Sequence, residues 1–86
     1  MEEKRILGVV ITDRKKEAGE VQKVLTKYGC SIKTRLGLHE ASTENCSNEG
    51  LILLELIGDY KDMDNLEEEL QKVEGTETQK MSFKKP

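Results

Sequence analysis

An α+β sandwich of order βαββαβ is the fold class this sequence predicts, and three observations predict it. A β-like apolar run, an amphipathic helical stretch and another strand follow one another twice in 86 residues. Each helical stretch stops at a glycine, Gly29 in the first half and Gly75 in the second. The two most apolar runs, residues 6–11 and 51–57, carry aliphatic side chains on both parities, as central strands do.

Residues 6–11 (Ile-Leu-Gly-Val-Val-Ile) are rich in β-branched side chains, and the carboxylate of Asp13 stands where it can cap the following helix. From residue 14 to 28, Ala18, Val21, Val24, Leu25 and Tyr28 recur at helical spacing among charges, giving a surface helix with one buried stripe. Residues 30–39 alternate instead. Cys30, Ile32, Thr34, Leu36 and Leu38 fall on one side, and Ser31, Lys33, Arg35, Gly37 and His39 on the other. Residues 40–50 have no apolar period and read as a long, mobile hairpin loop. Leu51 to Ile57 forms the next strand, closed by Gly58-Asp59. Met63, Leu66, Leu70 and Val73 then repeat at helical spacing beneath an acidic exterior of Glu67, Glu68 and Glu69. Residues 76–83 make a polar final strand with Met81 and Phe83 on one parity, which suits a sheet edge, and the Lys84-Lys85-Pro86 tail should fray.

Two right-handed crossovers in this order give a ferredoxin-like sandwich: one domain over residues 1–86, a four-stranded antiparallel sheet of order 4-1-3-2, and two helices on one face. Two helices cover one face only. Ile52, Leu54 and Leu56 can face them, but Leu51, Leu53 and Ile57 then point away, and the first strand divides in the same manner between Leu7, Val9, Ile11 and Ile6, Val10. A buried aliphatic side chain is worth about 1.5–3 kcal/mol over an exposed one, so a bare second face is costly. The expectation is a homodimer or a dimer of dimers.

Composition excludes several function classes. A formal charge of −3 gives no overall attraction for nucleic acid or anionic membrane. The first apolar run is far too short to span a bilayer, and no leader-like segment opens the chain, which predicts a cytoplasmic protein. Cys30 and Cys46 are too few for a secreted disulfide framework and read as reduced thiols. With one Phe, two Tyr and no Trp, the central strands lack the stacking aromatics of an RNA-recognition sheet. Thr12-Asp13-Arg14-Lys15 is not an anion-cradling loop, and paired cysteine motifs for iron–sulfur ligation are missing. No reaction has a candidate site, so the chain is not expected to be an enzyme.

The candidate binding residues lie on the second strand and its partner. Lys33, Arg35, Gly37 and His39 share a parity, and a hairpin symmetric about its loop sets Arg35 opposite Glu55. Such a pair either neutralises charge on an apolar face or holds an anion. Cys30 shares the parity of Ile32 and reads as a buried small hydrophobe. His39, the only histidine, and Cys46 are metal-capable, with Glu40 and Glu44 between them. One His and one Cys do not supply a full ligand set, so an exposed strand-end histidine fits better unless a second chain completes a transition-metal site.

The segment Ile32-Lys33-Thr34-Arg35-Leu36-Gly37-Leu38, the aliphatic strand 51–57 and the helix Met63-Asp64-Asn65-Leu66 through Leu70, Val73 and Gly75 resemble the small ACT-like iron-only hydrogenase system regulators over nearly the whole chain. The resemblance implies a ferredoxin-like oligomer with a regulatory or sensing role near hydrogenase maturation, and it carries over Arg35 and Gly37. Amino-acid-binding ACT domains have a glycine in the turn after the first strand, where this chain has Thr12-Asp13-Arg14. The resemblance extends to the metal-binding domain of nickel-responsive regulators, but Gly37 stands where the first histidine would fall, leaving His39 and Cys46. The expected function is a regulatory domain that binds a small-molecule effector or a partner at an oligomer interface, with Lys33, Arg35, Gly37, His39 and Glu55 as its residues. The alternatives are a metal-responsive sensor using His39 and Cys46 and a structural adaptor for a hydrogenase-maturation protein.

Overall fold

The apolar run that begins at Ile6 pairs on both sides, which makes it the second strand in from one edge of the sheet. In the computed structural model, which describes residues 3–12, 14–38 and 50–84, the elements are β1 (Glu3–Ile11), α1 (Arg14–Lys27), β2 (Ile32–Leu38), β3 (Gly50–Leu56), α2 (Tyr60–Gln71) and β4 (Thr76–Lys84). The sheet order is β2-β3-β1-β4 with every neighbouring pair antiparallel. This is the expected order read from the other edge. β1 is longer than its apolar run because β4 pairs with it from Ile11↔Thr76 to Glu3↔Lys84. The proposed Asp13 cap and the 40–49 loop lie outside the described residues.

Both helices bury their apolar stripes on one sheet face. Val21 and Leu25 of α1 and Met63, Leu66 and Leu70 of α2 close over Leu7, Val9, Ile11, Ile52, Leu54 and Leu56, with Val24, Tyr28, Ile32 and Val73 packed at the margin. Asp59 caps α2 by accepting a hydrogen bond from the Lys61 N–H at 2.7 Å. The helix ends at Gln71, short of the predicted Gly75. Gly75 instead supplies the turn into β4 with φ 85°, a conformation glycine adopts without steric cost. Thr76 fastens that turn by donating its hydroxyl to the carbonyls of Leu70 and Val73, each at 2.7 Å. Between the helices the Tyr28 hydroxyl donates to Glu69, which also pairs with Lys27 at 3.1 Å. That contact lowers the Glu69 pKa and pushes the Tyr28 phenol up to about 12.

Two expectations for the second strand are corrected. Cys30 lies in a single 3-10 turn, Gly29–Ser31, and is exposed, while Ser31 is the buried residue there. The turn rotates the backbone before β2 starts, so strand parity does not extend back to Cys30. Within β2 the register slips: Ile32 pairs with Leu56 and Thr34 with Glu55, leaving Lys33 as a bulge residue. An inserted residue reverses every side chain beyond it. Arg35 and Gly37 therefore stand in register with Leu54 and Ile52 on the helix side, while Leu36 stands with Leu53 on the open side.

Candidate functional site

The face away from the helices is the largest feature the fold leaves unexplained. Its residues follow from the register. Thr34, Glu55, Ile6 and Met81 form one row across the sheet, and Leu36, Leu53, Gly8 and Gln79 form the next. Leu51, Val10 and Glu77 make a third row. Leu36 is 49% exposed, Met81 55% and Phe83 50%, so this apolar surface is open in the isolated chain. The predicted division of β1 and β3 into a core set and an outward set is what the burial shows.

Charge is concentrated at one end of that face, on Glu55. Its carboxylate accepts a hydrogen bond from the Thr34 hydroxyl at 3.0 Å and pairs with Lys4 at 3.6 Å and Lys33 at 4.0 Å. The Thr34 hydrogen bond is the main cause holding this carboxyl below the usual range, aided by the two ammonium groups and opposed by desolvation. The expected Arg35–Glu55 pair is absent because the bulge gives that register to Thr34. Arg35 turns instead to α1, where its Nη2 donates to Gln22 Oε1 at 2.8 Å. Of the candidates, the structure brings Lys33 and Glu55 together and separates Arg35 and Gly37 from them. A Cβ built at Gly37 would meet nothing within 4 Å among the described residues, so close approach to them does not require its glycine. His39 and Cys46 lie outside the described residues. Among the described residues no group of three or more His, Cys, Asp or Glu is placed to hold a metal.

Beside this cluster, a cleft of about 260 Å³ opens where β1 begins and β3 ends, lined by Glu3, Lys4, Lys33, Glu55, Ile57 and Tyr60. Two of its lining residues, Glu3 and Tyr60, meet around an arginine behind it. Arg5 is buried beneath α2, donating through Nε to Glu3 at 2.8 Å and through Nη1 to Asp64 at 2.6 Å, with Tyr60 5.8 Å from its guanidinium. The Tyr60 hydroxyl accepts the Glu3 N–H at 2.9 Å. The Glu3 carboxyl is held down at about 2, first by Arg5 and then by the Ser82 side chain, while the Arg5 pKa is raised, first by Glu3. One signal was available. Arg5 has the parity of Leu7 and Val9, which marks a core-facing arginine that needs acidic partners.

No family model and no curated protein matches the chain. Among solved structures it is similar to the uncharacterized protein TM1266 from Thermotoga maritima, with 26% identity over 96% of this chain and 100% of that one and a TM-score of 0.79. It is also similar to CPII, a nitrogen regulatory PII-like protein from Thiomonas intermedia bound to ADP, AMP and bicarbonate, at 13% identity over 99% of this chain and 97% of that one, TM-score 0.56. A formyltetrahydrofolate deformylase from Pseudomonas putida matches at 12% identity and TM-score 0.54 over 91% of this chain, which spans 28% of that one. No helix among the described residues is long and apolar enough to cross a membrane. These neighbours share with the chain a four-stranded ferredoxin-like fold, used by proteins as different as a nitrogen regulator and a folate enzyme.

Proposed function

We propose that the chain is a non-enzymatic regulatory domain that self-associates through its open sheet face and takes a small effector or partner at the Lys4–Lys33–Glu55 end of that face. The observation that carries this reading is the face itself. Ile6, Val10, Leu36, Leu51, Leu53, Met81 and Phe83 place seven apolar side chains on it, four of them exposed, and water is a poor neighbour for such a surface. The Lys4–Lys33–Glu55 cluster on it adjoins the cleft of about 260 Å³, which supports a small occupant there. Resemblance to the iron-only hydrogenase system regulators supports a place near hydrogenase maturation, and the PII-like neighbour supports a ligand-responsive role for such a fold.

Sedimentation equilibrium at micromolar concentration tests the reading. The wild-type chain is expected to associate, and Leu53→Asp, which puts a charge in the middle of the face, is expected to leave a folded monomer. A wild-type chain that stays monomeric throughout overturns it. Affinity capture from cells that make an iron-only hydrogenase tests the physiological link, with retention of a maturation protein expected for the wild type and loss expected for Leu53→Asp.

A further inference from the structure

We propose that the open face meets a second copy of this chain across a two-fold axis perpendicular to the strands, with Ile6 of each copy seated over Gly8 of the other. The inference rests on self-association through this face and adds its register. Gly8 is the starting point, because glycine inside a strand weakens it and needs a reason. Its backbone provides none, since only Gly58 and Gly75 have positive φ among the described residues. Packing within the chain provides none either. A Cβ at Gly8 would lie 3.7 Å from Leu53 Cδ2 and 3.8 Å from the Gln79 carbonyl oxygen, which are ordinary contacts.

What glycine does create is a hollow of about 210 Å³ beside Val10, Leu51, Glu77 and Gln79. Ile6 stands two residues away on the same strand and the same face. An axis crossing β1 midway between the two residues exchanges them, so one copy's knob enters the other's hollow and the reverse contact follows by symmetry. The same rotation lays Lys4 of one copy over Val10 of its mate, one strand from that mate's Glu77, so opposite charges come diagonally within reach at both rims. Four strands of seven to nine residues, about 4.8 Å apart with a rise of about 3.3 Å, present a face of about 19 by 25 Å. That is on the order of 500 Å² per partner in projection, about 1,000 Å² over the pair before side-chain relief, the low end for a specific interface. Facing sheets pack about 10 Å apart, and a glycine at the centre lets an isoleucine enter at that spacing.

Sedimentation equilibrium, with circular dichroism confirming the fold of each variant, tests the register. Gly8→Ile fills the hollow and is expected to weaken association by about tenfold or more, whereas the swap Ile6→Gly/Gly8→Ile, which interchanges knob and hollow, is expected to regain most of it. Should Gly8→Ile fold poorly, Lys4→Glu and Glu77→Lys serve instead: each alone is expected to weaken association and the pair together to restore it. Association of Gly8→Ile at wild-type strength, with Leu53→Asp still dissociating, overturns the Ile6–Gly8 register and leaves self-association through the face standing. So does a swap no better than Gly8→Ile alone, which assigns the hollow to another occupant. A wild-type chain that is monomeric overturns both.

Discussion

Glu3 and Thr78 are the two residues whose chemistry most depends on where the fold places them. In the unfolded chain a glutamate titrates near 4.3. In the folded chain Arg5 holds Glu3 down at about 2. A depressed folded pKa gives stability that is complete above the unfolded value and disappears as pH falls toward the folded one. Glu3→Gln should therefore be less stable than the wild type at pH 6, with the gap closing as the pH approaches 2. Urea midpoints across that window check this, and a gap that does not change with pH would place the effect elsewhere. Thr78 faces the core opposite Val9, and its hydroxyl is buried without a hydrogen-bond partner among the described residues. Thr78→Val keeps the shape and removes the orphaned group, so urea unfolding should show a gain of about 1 kcal/mol. The parity of Arg5 hints at an acidic partner, but neither the choice of Glu3 nor the burial of Thr78 is legible in the sequence. Glu3 lies before the apolar run and joins β1 only because β4 extends that strand outward, while Thr78 is placed by pairing with Val9 at the other end of the chain.

Among the elements, β1, β3 and the helical stripes follow from periodicity alone, because an apolar pattern with one face buried has only one orientation that works. β2 shows where that reasoning ends. The alternation over residues 30–39 predicts a strand, which the structure holds at Ile32–Leu38, but alternation says nothing about an inserted residue, and the bulge at Lys33 is defined by which carbonyl and N–H meet across the sheet. The consequence reached the candidate site: Arg35, the residue best supported by resemblance, moved to the helix side, and Thr34 took its place beside Glu55. Arg35→Ala should accordingly cost no more than about 0.5 kcal/mol, since it loses one exposed hydrogen bond to Gln22, and should leave association unchanged. Urea titration and sedimentation of the variant check both halves. A variant that folds normally but fails to associate would return Arg35 to the interface.

At the scale of the whole molecule, β3 holds adjacent residues with opposite fates. Leu54 is fully buried under the helices and Leu53 lies on the open face. Leu54→Ala leaves a cavity, which should cost about 2–5 kcal/mol at every protein concentration, because the loss is internal to one chain. Association acts differently. A complex formed only by folded chains raises their stability by mass action, so the thermal midpoint of the wild type should climb with protein concentration. Leu53→Asp should remove that slope and lower the dilute limit by less than Leu54→Ala does, since Leu53 is only half-buried on the open face of the monomer. Differential scanning calorimetry over a hundredfold range of concentration separates the two. If Leu53→Asp lowers the midpoint by the same amount at every dilution, as Leu54→Ala should, then the outward leucine is stabilising its own chain and the face is part of the fold rather than a surface for assembly.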